Sequence, residues 1–202
     1  MMNNKTNIKC AIFDMDGTIV DVPYDWAQIK KELDTGGKPI LNYLKELKEP
    51  EKTEKWNILK NYEKNATKKA VLKKGVIHFL EYIKRHEIFS ALVTNNSKEN
   101  VCYLLDKFNL TFDLVMTRES GLWKPSAEPF FRILNQFSFK EDECCVIGDS
   151  HFDVMAANEA GIEKVFIINE DINKFDRGEA EVYPSFIELK NRLAEILSQS
   201  MD

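Results

Sequence analysis

Five short apolar runs, each ending abruptly at a polar residue or glycine, restrict the possible folds of this chain more than any other feature. Cys10–Phe13 stops at Asp14 and runs into Gly17, and Phe89–Val93 stops at Thr94, Asn95 and Asn96. Asp113–Met116 gives way to Thr117, Arg118 and Glu119, Cys144–Ile147 to Gly148 and Asp149, and Lys164–Ile168 makes the fifth. Runs this short, closed by turn-forming residues, are the pattern of buried strands. Between them the period becomes helical: Val101, Leu104, Leu105 and Phe108 share one face of a helix, as do Phe130, Ile133, Leu134 and Phe137. Strands alternating with helices predict an α/β fold, a Rossmann-like parallel sheet with helices on both faces. A late helix carrying Phe186, Leu189, Leu193 and Ile196 closes it. In such sheets ligands bind at the carboxyl ends of the strands, beside the point where strand order reverses. Asp14, Thr94 and Asp149 stand at such ends.

A chain of 202 residues has room for one substantial core and a modest accessory domain. The segment from Asp25 to Lys74 breaks the alternation with three helical patterns: Trp26, Ile29 and Leu33, then Leu41, Leu44 and Leu47, then Trp56, Leu59 and Tyr62. It holds 13 Lys against 8 acidic residues, although the whole chain carries a net charge of -5. The segment and the remainder therefore differ in character, and the acidic total argues against nucleic acid as a partner. No apolar run approaches the roughly 18 residues of a membrane span, and Met1–Lys9 lacks a signal-peptide core, so no membrane partner and a cytoplasmic location are expected. Cys10, Cys102, Cys144 and Cys145 lack the spacing of a zinc or redox site and read as buried, reduced thiols.

The chemistry concentrates at the strand ends. Asp14 and Asp16 are two carboxylates just beyond a buried strand, with Gly17 allowing a tight turn. An apolar strand end can dehydrate one carboxylate into a nucleophile while the second acts as general acid and then base. A plain Asx turn accounts for the same residues. Asp149 ends another strand, and Asp153 falls in the first turn of the next helix, where an acid also serves as a cap. Acids gathered at one sheet edge repel one another unless a cation lies between them, and oxygen-only ligands suit Mg²⁺. Lys124, held extended by Pro125, can bind a phosphoryl group together with the Thr94 hydroxyl.

These stretches resemble the motifs of the haloacid dehalogenase-like (HAD) hydrolases. Asp14–Thr18 is similar to the first motif, Val93–Ser97 to the second, Lys124–Phe130 to the third and Gly148–Gly161 to the fourth, in that order along the chain. The resemblance is to the phosphatase branch with a small helical cap, which includes phosphoglycolate phosphatase and β-phosphoglucomutase-like proteins. It implies a strand order of 5-4-1-2-3, with the five runs numbered along the chain. It also implies a catalytic core of residues 1–21 and 75–202, with a helical cap of residues 22–74 inserted after the first strand. The site it implies has Asp14 as nucleophile, Asp16 as acid and base, and Thr94, Asn95 and Lys124 as phosphate ligands. Mg²⁺ is held by Asp14, the Asp16 carbonyl and Asp149, with Gly17 and Asp153 in support.

The implied activity is Mg²⁺-dependent hydrolysis of a small phosphorylated metabolite through an aspartyl-phosphate. A sugar phosphomutase uses the same residues and remains the alternative, and a binding module without turnover is a third reading. In similar capped phosphatases and mutases the turn at Thr35–Pro39 reaches the substrate, and Lys38 there can pair with a second anionic group. An ordinary turn between two helices explains the same residues.

Overall fold

The computed structural model describes residues 8–173, 175 and 178–198. In chain order, the first strand β1 (Cys10–Phe13) leads into a two-residue strand β2 (Val20–Asp21). Three helices follow, α1 (Trp26–Leu33), α2 (Ile40–Glu46) and α3 (Glu51–Thr67), and then the short β3 (Val71–Leu72). The alternation resumes with α4 (Val76–Arg85), β4 (Phe89–Val93), α5 (Lys98–Phe108), β5 (Leu114–Met116) and α6 (Glu128–Phe137). It ends with β6 (Cys144–Gly148), α7 (His151–Glu159), β7 (Val165–Ile168), β8 (Glu181–Tyr183) and α8 (Phe186–Ser198).

Six strands form one parallel sheet in the order β5-β4-β1-β6-β7-β8, and β2 pairs with β3 separately. Numbered by the five apolar runs, the order is the expected 5-4-1-2-3, extended by β8 beside the fifth run. β1 lies at the centre, with Phe13 in register with Leu92 on one side and Ile147 on the other. Strand order reverses there, so the carboxyl ends of β1, β4 and β6 flank the crevice where such sheets bind ligands.

Alternate side chains of each strand face opposite ways. Cys10, Ile12, Ala91, Val93, Cys144 and Val146 enter a cluster with Phe130 and Ile133 of α6 and Ala156 and Ala157 of α7. The alanines and Ala160 are all but fully buried and let α7 approach closely. On the other face Phe13 meets Phe79 of α4 edge-on at 6.0 Å, and Phe79 meets Phe186 of α8 at 5.1 Å.

The chain divides into two compact units, Met1–Asp21 with Leu72–Asp202, and Val22–Val71. Within the second, Ile29, Leu33, Leu41, Leu44 and Leu59 form the apolar interior, and the Tyr24 and Thr67 hydroxyls lie 3.4 Å apart. No helix among the described residues is long and apolar enough to cross a membrane.

All four cysteines are free, and three are buried as expected, whereas Cys102 is exposed on α5. It falls beside the apolar stripe of that helix, with its neighbour Val101 taking the buried position. A hydrogen bond with Cys144, reinforced by burial, pushes the Cys10 thiol up, and burial pushes Cys145 up to about 12.

Candidate active site

Beyond β1 the chain makes a compact turn. Asp14 N–H still donates to the Ile147 carbonyl at 2.9 Å, and the amides of Thr18, Ile19 and Val20 all return to the Met15 carbonyl. Gly17 has φ 88, which a side chain would resist, and a Cβ there would lie 2.3 Å from Asp149 Oδ2. The glycine thus lets the Asp149 carboxylate lie directly over the loop that carries Asp14 and Asp16. Gly148 serves Asp153 in the same way, since a Cβ at 148 would meet Asp153 Cγ at 2.3 Å.

Lys124 is the centre of charge. Its Nζ donates to Asp14 Oδ1 and to Asp153 Oδ1, each at 2.6 Å, and all three side chains are almost wholly buried. Burial opposes the charged form of Lys124, yet Asp14 and Asp153 outweigh it and hold its pKa above the usual lysine value. Burial raises the Asp14 carboxyl to about 6, against the downward pull of Lys124.

Asp153 does two tasks. Its Oδ2 accepts from the Ser150 hydroxyl at 2.7 Å and from the Ser150 and Asp149 amides at 3.1 and 3.3 Å, capping α7. Its other oxygen faces Lys124. Asp14, Asp149 and Asp153 each offer one carboxylate oxygen within 4.8 Å of the others, a hard oxygen set that fits a divalent cation. Both Asp153 oxygens accept hydrogen bonds, one from Lys124 and the other from the Ser150 and Asp149 groups.

The loop after β4 supplies the remaining parts. Thr94 is buried at the strand end, and its Oγ1 accepts from the Asn96 amide at 3.1 Å, leaving its own O–H to donate. The Asn95 side chain clasps the backbone of Lys124, donating to its carbonyl at 2.8 Å and accepting from its amide at 2.9 Å. Asn95 therefore holds the second and third motif loops together through its amide. Lys38 stands in the other unit, where its ammonium pairs with Glu46 at 2.5 Å.

Asp14, Asp149, Asp153 and Lys124 thus meet in one cluster. Asn96 was not singled out from the sequence, yet its Nδ2 donates to Asp16 Oδ2 at 2.8 Å. Only its place in the polar stretch after Val93 hinted at a role. A buried ammonium among three carboxylates at the carboxyl ends of the strands is a set of charges suited to an anionic, phosphoryl-bearing ligand and a cation.

The chain also matches known proteins. It is 24% identical over 170 residues to a haloacid dehalogenase-like hydrolase domain-containing protein of Arabidopsis thaliana, covering 78% of this chain and 69% of that one. It is 26% identical over 189 residues to the phosphorylated carbohydrates phosphatase of Thermotoga maritima, covering 82% and 88%. The crystal structure of a hydrolase from Pseudomonas syringae superposes with a TM-score of 0.74 at 20% identity, covering 93% of this chain and 99% of that one. The model of the haloacid dehalogenase-like hydrolases matches residues 22–167, well over half of the chain, which accordingly belongs to that family.

Proposed function

We propose that this protein is a Mg²⁺-dependent phosphatase that hydrolyses small phosphomonoester metabolites through an aspartyl-phosphate on Asp14. The observation that carries the reading is the buried Asp14 carboxylate, 2.6 Å from Lys124 and grouped with Asp149 and Asp153. A relative named for phosphatase activity on phosphorylated carbohydrates supports it.

Asp14 attacks phosphorus in line, forming an O–P bond as the bond to the leaving oxygen breaks. Asp16 gives its proton to that oxygen. Water then attacks the aspartyl-phosphate, Asp16 takes a proton from it, and cleavage of the Asp14–phosphorus bond releases inorganic phosphate. Lys124 and the Thr94 hydroxyl hold the non-bridging phosphoryl oxygens, so most of the catalysis is positioning and charge neutralisation. Mg²⁺, held by Asp14, Asp149 and the Asp16 carbonyl, would supply further charge neutralisation when bound. Asp153 stays behind Lys124 and keeps it charged and aimed.

The test is phosphate release with Mg²⁺ across a panel of phosphorylated metabolites, beside Asp14→Asn. The amide is nearly isosteric but neither attacks phosphorus nor binds metal well. Turnover is expected to drop below about a hundredth of the unmodified rate while the fold survives a thermal melt. A variant that keeps its rate removes Asp14 from the nucleophile role, and a rate indifferent to EDTA removes the metal.

A further inference from the structure

General acid catalysis demands more of a carboxyl group than nearness. The carboxylate must point at the leaving oxygen, and the terminal torsion of an aspartate is soft. Asp16 lies in the loop beyond β1 and is only half-buried. The hydrogen bond from Asn96 Nδ2 to its Oδ2, at 2.8 Å, restrains that torsion from across 80 residues of chain.

The direction of the Asn96 amide follows from its other partners. Its Oδ1 accepts from the Ser97 amide at 2.7 Å, and a backbone N–H can only donate, so the nitrogen must face Asp16. Asn100 Nδ2 donates to the same Oδ1 at 3.0 Å and locks the orientation. The Asn100 backbone amide in turn donates to the Ser97 hydroxyl at 3.3 Å, which places the network on the capped first turn of α5. Asn96 is 3% exposed and Asn100 is 7% exposed, so water does not compete for these bonds. The Asn96 backbone amide also reaches Thr94 Oγ1 at 3.1 Å. One residue thus joins the phosphate-binding hydroxyl to the acid.

Resting on the phosphatase reading above, we propose that Asn96 is the positioning residue for Asp16, with Asn100 fixing which way its amide faces. The consequence depends on the leaving group. An alcohol or phenol of high pKa departs only if protonated, whereas an acidic phenol departs as its anion and needs no acid. Loss of the Asn96 donor therefore penalises poor leaving groups selectively. A general loss of structure penalises all substrates alike.

The experiment compares kcat/KM, which reports events up to departure of the leaving group, for phenyl, p-nitrophenyl and 2,4-dinitrophenyl phosphate. Asn96→Asp keeps the acceptor that Ser97 and Asn100 need but replaces the donor to Asp16 with a carboxylate whose charge burdens all three anionic esters alike, and Asn96→Ala loses both donor and acceptor without adding charge. In each variant the loss on phenyl phosphate is expected to exceed the loss on the dinitrophenyl ester by roughly 100-fold, the scale of general acid catalysis, with Asn96→Ala losing under about threefold on the dinitrophenyl ester. Thermal melts accompany the kinetics, and if Asn96→Ala does not fold, Asn96→Asp decides alone. Equal losses on all three esters, or none, overturn the inference while turnover that depends on Asp14 leaves the phosphatase reading standing. An unmodified protein inert to all three, or Asp14→Asn that still turns over, overturns that reading and this inference with it.

Discussion

Burial raises the Asp14 carboxyl to about 6 while Lys124, 2.6 Å away, pulls it down. The folded pKa lies above the ordinary 3.8, so between those values the folded state holds a proton that the unfolded chain has released. In the metal-free protein this carboxyl therefore makes stability fall as pH rises through that window. A cation binds the ionised form and must displace the proton at low pH. Mg²⁺ is thus expected to raise the melting temperature more at about pH 7.5 than at about pH 5, read by paired melts with and without the ion. Equal shifts at both would remove Asp14 from the ligand set. Asp14 and Asp149 were legible in the sequence because each stands where an apolar run stops, and Lys124 because Pro125 follows it and holds it extended. The tie between Asn96 and Asp16 was not, since a hydrogen bond across 80 residues leaves no period or spacing to read.

At the scale of elements, α8 shows how much a helical stripe establishes. Phe186, Leu189, Leu193 and Ile196 recur at intervals of three and four, and all four side chains are buried. Leu193→Ala is expected to cost about 2–5 kcal/mol, measured by equilibrium urea unfolding, because it removes buried methyl groups and leaves a cavity. A loss below about 1 kcal/mol would place α8 outside the cooperative unit. The five apolar runs became strands, with shifts only at their ends. Asp113 was expected to begin β5 but lies outside it, because its carboxylate accepts from the Ser90 amide and hydroxyl, both at 2.8 Å. β8 could not be read. Glu181–Tyr183 is a three-residue edge strand whose Glu181 pairs with Arg192 at 3.0 Å, and so short and charged a segment carries no apolar run. The two-residue strands β2 and β3 were illegible for the same reason.

At the scale of the molecule, the chain joins an α/β unit built on a six-stranded sheet to a helical unit of residues 22–71. The sequence signals both through one contrast, the change from alternating strand and helix patterns to helical patterns alone. The cysteines follow the larger unit's layering. Cys10 lies on β1, the strand that leads into Asp14, opposite Cys144 on β6, with Cys145 beside it, and these three are buried while Cys102 faces solvent. Alkylation requires an accessible thiolate, which the raised and buried thiols of Cys10 and Cys145 do not provide. A maleimide reagent is therefore expected to add one label per native chain and four per chain in denaturant, counted by intact-mass spectrometry. Labelling stoichiometry then becomes a quality assay: the fraction of chains carrying more than one adduct is the fraction in which β1 or β6, the strands that lead into Asp14 and Asp149, is not packed in the sheet.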